Sequence, residues 1–348
     1  MIKSIDIEEA LDKENIVYID VRSPKEYQVD TIPNAINIPI LNDKERERVG
    51  YLYKQVNSQK AKEAGLEYAS KKLTHFYTEI KKIIDENKDV ALFCYRGGMR
   101  SNSIANVLST MGLDVYLITG GYKSYRAYVM DNLVTYEDKF NYVVLHGYTG
   151  VGKTKILKLL EEKDISVLDI EGLARNTGSV FGSLAFKGDS STQKRFESHL
   201  VKSFQNMKSN LVFTESESKR VGKVILPDFL YNNMQNCHHI LIKTNMKKRI
   251  ENIIEDYINS DVPDLNDRII KALENLRKRL SNNKVDTLIN QINDKDYSPV
   301  IETLMVDYYD PLYDYSINKV EEYDMIIEYE NEENAVDQII EFANKHVH

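Results

Sequence analysis

The sequence has no tryptophan, two cysteines and seven prolines among its 348 residues. Two cysteines, Cys94 and Cys237, cannot build a disulfide framework, so the small stapled secreted class is excluded. A reducing compartment, where a thiol stays reactive, is the expected setting. No stretch approaches the ~18 apolar residues of a membrane span. Met1 to Asp12 is charged and lacks the apolar run of an export signal. A cytoplasmic protein with no membrane partner is therefore expected. Basic side chains are outnumbered, 46 Lys and Arg against 54 Asp and Glu, and the formal net charge of −8 argues against coating nucleic acid by bulk attraction.

The charge is unevenly placed. Residues 1–135 are neutral, with 19 basic and 19 acidic side chains, whereas 300–348 carry 2 basic against 13 acidic ones. The middle of the chain is left with a small positive excess that the acidic tail hides. Hydrophobic and charged contents of 42% and 29% are ordinary for globular proteins, and the length suits two domains.

Short β-branched runs alternate with helical patterns in the first third: Ile16–Asp20, Asn34–Ile38, Asp89–Phe93 and Val115–Ile118, with a helix over Ser101–Met111 stopped by Gly112. That alternation predicts a parallel α/β sheet. The chain turns polar around Asp131–Asn141, which places a boundary between a first domain, 1–135, and a second, 136–348. Strands are expected there at Tyr142–Leu145, Ser166–Ile170, Leu211–Thr214 and His239–Lys243, with a helix from Lys153. From about 246 to 320 the spacing turns helical (Ile250, Ile253, Ile254, Tyr257; Leu273, Leu276, Leu280). Met325–Ile327 and Ala335–Ala343 close the chain as a strand and a helix.

Two loops carry chemistry. Cys94-Tyr-Arg96-Gly-Gly-Met-Arg100-Ser101 follows a strand and opens a helix. Glycines let backbone N–H groups turn around a small anion. The helix N-terminus, Arg96 and Arg100 add positive potential, and each favours a thiolate at Cys94. Cys237 has none of these features. The second loop, Gly147-Tyr-Thr-Gly150-Val-Gly152-Lys153-Thr154, matches the phosphate-binding pattern in full, between a strand and a helix. Its N–H groups cradle phosphates, Lys153 neutralises charge, and Thr154 can hold Mg²⁺. Candidate substrate- or magnesium-organising residues follow neighbouring strands: Asp169, Glu171, Arg175, Ser179, Glu215 and Arg220, with Glu217 beside them. No metal site built from protein ligands alone is expected, and no tightly bound cofactor. Nothing in the pattern sets an oligomeric state.

The Cys94 loop resembles the active-site loop of rhodanese-type sulfurtransferases. Asp20-Val-Arg22, Ser23-Pro-Lys-Glu26-Tyr27 and Ile32-Pro-Asn-Ala-Ile-Asn-Ile-Pro39 look like the same domain's N-terminal pattern. The resemblance implies that Cys94 carries sulfur or selenium as a persulfide-like adduct. The Cys-x5-Arg spacing from Cys94 to Arg100 also fits phosphatase chemistry.

A rhodanese domain followed by a P-loop domain, together with Val49–Gln55, Tyr95–Ser101, Gly120–Lys123, Asp169–Arg175, Gly178–Gly182, Glu215–Ser218 and Tyr308–Tyr313, is similar to the bacterial tRNA 2-selenouridine synthases. The resemblance implies selenium-for-sulfur exchange at the wobble uridine of tRNA, through S-geranyl-2-thiouridine. The small-molecule phosphates implied are geranyl diphosphate and selenophosphate, with the diphosphate on Lys153 and Thr154 and Cys94 serving selenium delivery or displacement. Basic candidates for tRNA phosphates are Lys219, Arg220, Lys223, Lys247, Lys248, Arg249 and Arg277-Lys-Arg279. Two other readings stand beside this one. A small-molecule kinase or NTPase with a regulatory rhodanese module would turn over ATP without tRNA. A persulfide sensor would leave the P-loop unused.

Overall fold

The computed structural model describes residues 2–176, 190–258 and 264–346. The chain divides into two compact units: residues up to Thr135 with Glu197–Lys202, and Tyr136–Phe196 with the chain from Ser203 onward.

The first unit is built on a five-stranded, wholly parallel sheet of β1 (Ile2–Ile5), β2 (Ile16–Asp20), β3 (Ile36–Asn37), β4 (Asp89–Phe93) and β5 (Val115–Ile118). Its strand order is β1-β5-β4-β2-β3. β4 lies inside the sheet with Val90 to Phe93 buried, as its unbroken apolar run requires. Helices Leu73–Asp85 and Met99–Thr110 pack Phe76, Ile80, Ile104 and Leu108 against Ile19 and Leu92. Asp20 pairs with Phe93 in register, so the loops after β2 and β4 leave the same sheet edge. The 34–38 run is narrowed to Ile36–Asn37, because Asn34 takes a left-handed conformation at φ +68°. The helix after the cysteine loop begins at Met99, two residues ahead of its expected start. Between β3 and Leu73 the chain forms helices Asp43–Tyr51 and Ser58–Ser70, joined by a π-type turn at Leu52–Val56.

The second unit carries another parallel sheet. It comprises β6 (Asn141–His146), β7 (Val167–Leu168), β8 (Leu211–Glu215), β11 (His238–Lys243) and β12 (Met325–Glu328), ordered β12-β11-β6-β8-β7. A small antiparallel ribbon joins β9 (Arg220–Val221) and β10 (Val224–Ile225). β7 is shorter than the expected 166–170 strand. Asp169 Oδ1 accepts the Gly172 N–H at 2.7 Å and starts helix Ile170–Ala174 instead. The helical segment has its own core of Ile253, Leu273, Leu276, Leu280, Leu288 and Leu304, with Ile250 and Ile254 packed on its edge. The side chain of Tyr257 and the run from residue 177 to 189, which holds Ser179 and the Gly178–Gly182 segment, lie outside the described residues.

No helix among the described residues is long and apolar enough to cross a membrane.

Candidate functional site

The cysteine loop is set by what lies beneath it. Cys94 leaves the buried end of β4 and is itself buried. The β5 turn packs directly under it: Tyr122 N–H donates to the Cys94 carbonyl at 2.9 Å, and Lys123 N–H to the Tyr95 carbonyl at 3.0 Å. That closeness explains Gly121. Gly121 has φ +60°, and an added Cβ would stand 2.3 Å from the Cys94 carbonyl oxygen. Gly121→Ala is therefore expected to lower stability by about 2–3 kcal/mol or more. It should also blunt Cys94 alkylation, as thermal melts and iodoacetamide labelling of the two proteins will show.

A buried ion pair fixes the neighbouring strand end. Arg22 holds the Asp20 carboxylate at 2.6 Å, donates to the Asp30 carbonyl and lies 4.0 Å over the Tyr122 ring. Tyr122 in turn donates to Asp30 at 2.9 Å. The Asp-Val-Arg motif is thus a support beneath the loop.

The thiol faces opposing effects. Burial pushes its pKa up, but bonds from the Ser101 side chain and backbone, the Arg96 backbone and the charge of Arg100 outweigh it, leaving the pKa below the ordinary value. Ser101 Oγ donates to Sγ at 3.3 Å. Arg100 acts at one remove: its guanidinium is paired with Glu26 at 2.7 Å. Arg96 is exposed beside the Tyr95 ring. Cys237 is the opposite case, pushed up to about 12 chiefly by burial, as an inert thiol should be.

The P-loop follows β6, the central strand of the second sheet. Its glycines are sterically required. Gly147, Gly150 and Gly152 have φ of +150°, +81° and +72°, and an added Cβ would meet Ile242 O, Arg249 O and Tyr329 Oη at 2.6, 2.8 and 2.7 Å. Three side chains tie the loop's carbonyls outward. Arg249 Nε donates to Thr149 O (2.9 Å), Asn252 Nδ2 to Gly150 O (2.9 Å) and Tyr329 Oη to Val151 O (2.8 Å). With the carbonyls held, the N–H groups are free to face an anion. Lys153 Nζ rests on the carbonyls of Gly147 and Tyr148, at 2.8 and 3.4 Å, and 5.4 Å from the Tyr313 ring centroid. Burial lowers its pKa, opposed by the charges of Glu171, Glu215 and Glu217.

Those acids form one cluster. Glu215 ends β8 beside β6, and its Oε1 accepts the Glu171 N–H at 2.9 Å. Its Oε2 is buried with no partner among the described residues. Burial raises the carboxyls of Glu215, Glu171 and Glu217, and the last two share a hydrogen bond. Folded carboxyls that keep protons longer than unfolded ones stabilise the fold at low pH, and that stability is lost as pH rises through their raised pKa. The share of the unfolding free energy that these three carboxyls contribute is expected to fall from the ordinary carboxylate range toward neutral pH, read in urea as the difference between wild type and variant. Glu217→Gln should flatten the slope. Among the described residues no three His, Cys, Asp or Glu side chains are grouped to hold a metal ion.

Profiles of two families match this chain: the rhodanese-like domain over residues 5–128 and the tRNA 2-selenouridine synthase AAA domain over 140–346. The chain belongs to the tRNA 2-selenouridine synthase family. Proteins named tRNA 2-selenouridine synthase in Nitrosomonas europaea and Marinobacter nauticus are 38% and 31% identical to it. The matches take in 69% of this chain and 63% of the first relative, and 88% of this chain and 89% of the second.

Within this family member, the remaining expected residues divide. Asp169 caps a helix, and Arg175 ends that helix in a left-handed turn. Arg220 is exposed on the β9–β10 ribbon. One correction concerns Arg249, expected as a surface contact for tRNA. It is buried, and its guanidinium pairs with Asp310 at 2.6 and 3.0 Å, so it braces the P-loop from within. Sequence spacing hid this, because Lys247-Lys-Arg249 reads as a basic run. The Tyr308–Tyr313 segment supplies its partner. Arg249→Met should cost about 3–5 kcal/mol by leaving a partly buried carboxylate unpaired, measurable as a lower urea midpoint. Several other basic candidates face acids: Lys219 with Asp228, Lys248 with Glu332, and Arg277 with Glu274 and Asp286.

Proposed function

We propose that this chain is a transferase that converts the wobble 2-thiouridine of tRNA to 2-selenouridine by way of S-geranyl-2-thiouridine, using geranyl diphosphate and selenophosphate. The observation that carries the reading is one chain, of this family, holding both a thiol whose pKa, despite burial, is lowered by hydrogen bonds from Ser101 and the Arg96 backbone and a P-loop braced from behind.

In the first step the thiouridine sulfur attacks C1 of the geranyl group. The C–O bond breaks, its electron pair leaves with diphosphate, and N3 of the base gives up its proton. The P-loop N–H groups and Lys153 stabilise the charge gathering on diphosphate. Mg²⁺ would fit here: Thr154 lies in the first turn of the helix after the loop, and Glu215 Oε2, without a partner among the described residues, lies at the adjacent strand end. The ion would share the diphosphate charge.

In the second step Cys94 thiolate attacks C2. The C2–S bond breaks, and the geranyl thiolate departs and takes a proton. A bare thiocarbonyl sulfur is a poor leaving group; alkylation makes it a good one. Hydrolysis of the P–Se bond of selenophosphate yields hydrogen selenide and phosphate. Selenide then attacks C2, Cys94 leaves as thiolate, and the selenium-borne proton ends on N3. A single-turnover assay tests the order. tRNA already carrying S-geranyl-2-thiouridine, given selenophosphate without geranyl diphosphate, should yield selenouridine and geranyl thiol in equal amounts. Selenouridine without geranyl thiol would rule out the S-geranyl route.

A further inference from the structure

The first unit holds a cavity of about 430 Å³ that the cysteine loop's chemistry does not use. Its walls are helices Asp43–Tyr51 and Ser58–Ser70 and the start of helix Met99–Thr110. Ile40, Leu41, Val49, Ala61, Leu66 and Met99 make the lining apolar. The size lies within the range of about 300–1,000 Å³ for small-molecule sites. Tyr53, Leu66 and Met99 stand 67%, 71% and 65% exposed, an apolar cost that an occupant would relieve.

Two further observations narrow the occupant. The cavity also touches Arg46, Lys54, Lys62 and Arg100, with no acidic side chain in its lining. Glu26 pairs with Arg46 and Arg100, while Lys54 and Lys62 have no ion pair among the described residues. An apolar pit with cations at its wall suits an aliphatic chain carried on an anionic molecule. Its position is the second observation: Met99, Arg100 and Ser103 belong to the helix that opens directly after the Cys94 loop. The Val49–Gln55 segment, part of the family resemblance but without a role in either loop, contributes Val49, Gly50, Tyr53 and Lys54.

We propose that this cavity seats the geranyl chain of the S-geranyl-2-thiouridine nucleotide while C2 is attacked at the cysteine loop. The assignment rests on the S-geranyl route proposed above. It makes the pocket a holder for the leaving group. Burying the chain directs the C2–S bond toward the thiol loop, while the cations face the tRNA phosphates. Short alkyl groups would leave the pit unfilled.

Binding to the full-length protein, measured calorimetrically without selenophosphate, tests this apart from turnover. Anticodon stem-loops carrying S-methyl, S-prenyl (five-carbon) or S-geranyl 2-thiouridine form one arm. Geranyl diphosphate forms the other. Each buried methylene is worth about fourfold in affinity, so the geranyl stem-loop should bind at least about 100-fold tighter than the methyl one. Gly65 lines the pocket on a helix, and nothing lies within 4 Å of an added Cβ, so Gly65→Phe can fill the space without backbone strain. It should bring the geranyl stem-loop down to the methyl level with methyl binding and the melting temperature unchanged. Equal binding of all three stem-loops to the wild type overturns the proposal without any variant. So does a response to Gly65→Phe seen with geranyl diphosphate alone. Chain-length dependence in a protein that makes no selenouridine would keep the pocket and sink the proposed reaction.

Discussion

Cys94→Ala is expected to abolish selenouridine formation, by roughly 10³-fold or more, while S-geranylated nucleoside accumulates. The split follows from the separation of tasks: geranylation needs charge stabilised on diphosphate, and displacement needs a nucleophile at C2. The thiol is prepared for the second. Burial raises its pKa, yet the Ser101 bonds, the Arg96 backbone and Arg100's charge bring it below the ordinary thiol value. Ser101→Ala should therefore move the pH midpoint of Cys94 alkylation upward and slow selenation at neutral pH, without touching geranylation. Nucleoside mass spectrometry of the reacted tRNA reads both products at once. Undiminished selenouridine from Cys94→Ala contradicts the cysteine's role.

Lys153→Ala should have the complementary effect. Geranylation is expected to fall about 10²–10³-fold, the usual loss when one charge-stabilising donor is removed. Selenation of tRNA supplied already geranylated should continue. At present Lys153 donates to the carbonyls of Gly147 and Tyr148. A diphosphate in the loop offers it a charged acceptor in their place, a stronger bond than a neutral carbonyl provides. Lys153→Arg should not rescue, because the forked guanidinium does not fit where an ammonium is enclosed by loop carbonyls. Initial rates with geranyl diphosphate, compared with rates from pre-geranylated tRNA, separate the two steps.

Much of this was legible in the sequence where one physical cause acted alone. Ile16–Asp20, Asp89–Phe93 and Val115–Ile118 are strands over the ranges their β-branched runs mark, since a strand buried on both faces needs an unbroken apolar run. The P-loop was legible because its glycines are imposed by close contact, Gly147 and Gly150 against backbone oxygens and Gly152 against the Tyr329 hydroxyl. Legibility failed where side chains act across long sequence distance. Arg249 looked like a surface cation because its partner Asp310 lies in a distant helix. β7 is shorter than its expected range because Ile170 continues the apolar pattern beyond Asp169, which caps a helix. Helices Asp43–Tyr51 and Ser58–Ser70 are not marked by periodicity, because the first is mostly charged, the second carries few large apolar residues, and Val49, Ala61 and Leu66 face a cavity that only the fold assembles.

The most direct test is nucleoside mass spectrometry on 2-thiouridine tRNA incubated with the purified protein, geranyl diphosphate and selenophosphate, each omitted in turn. Selenouridine only with all components, S-geranyl-2-thiouridine when selenophosphate is withheld, and unchanged 2-thiouridine when geranyl diphosphate is withheld is the pattern predicted. No geranylated or selenated nucleoside under any combination, or selenouridine made without geranyl diphosphate, contradicts the account.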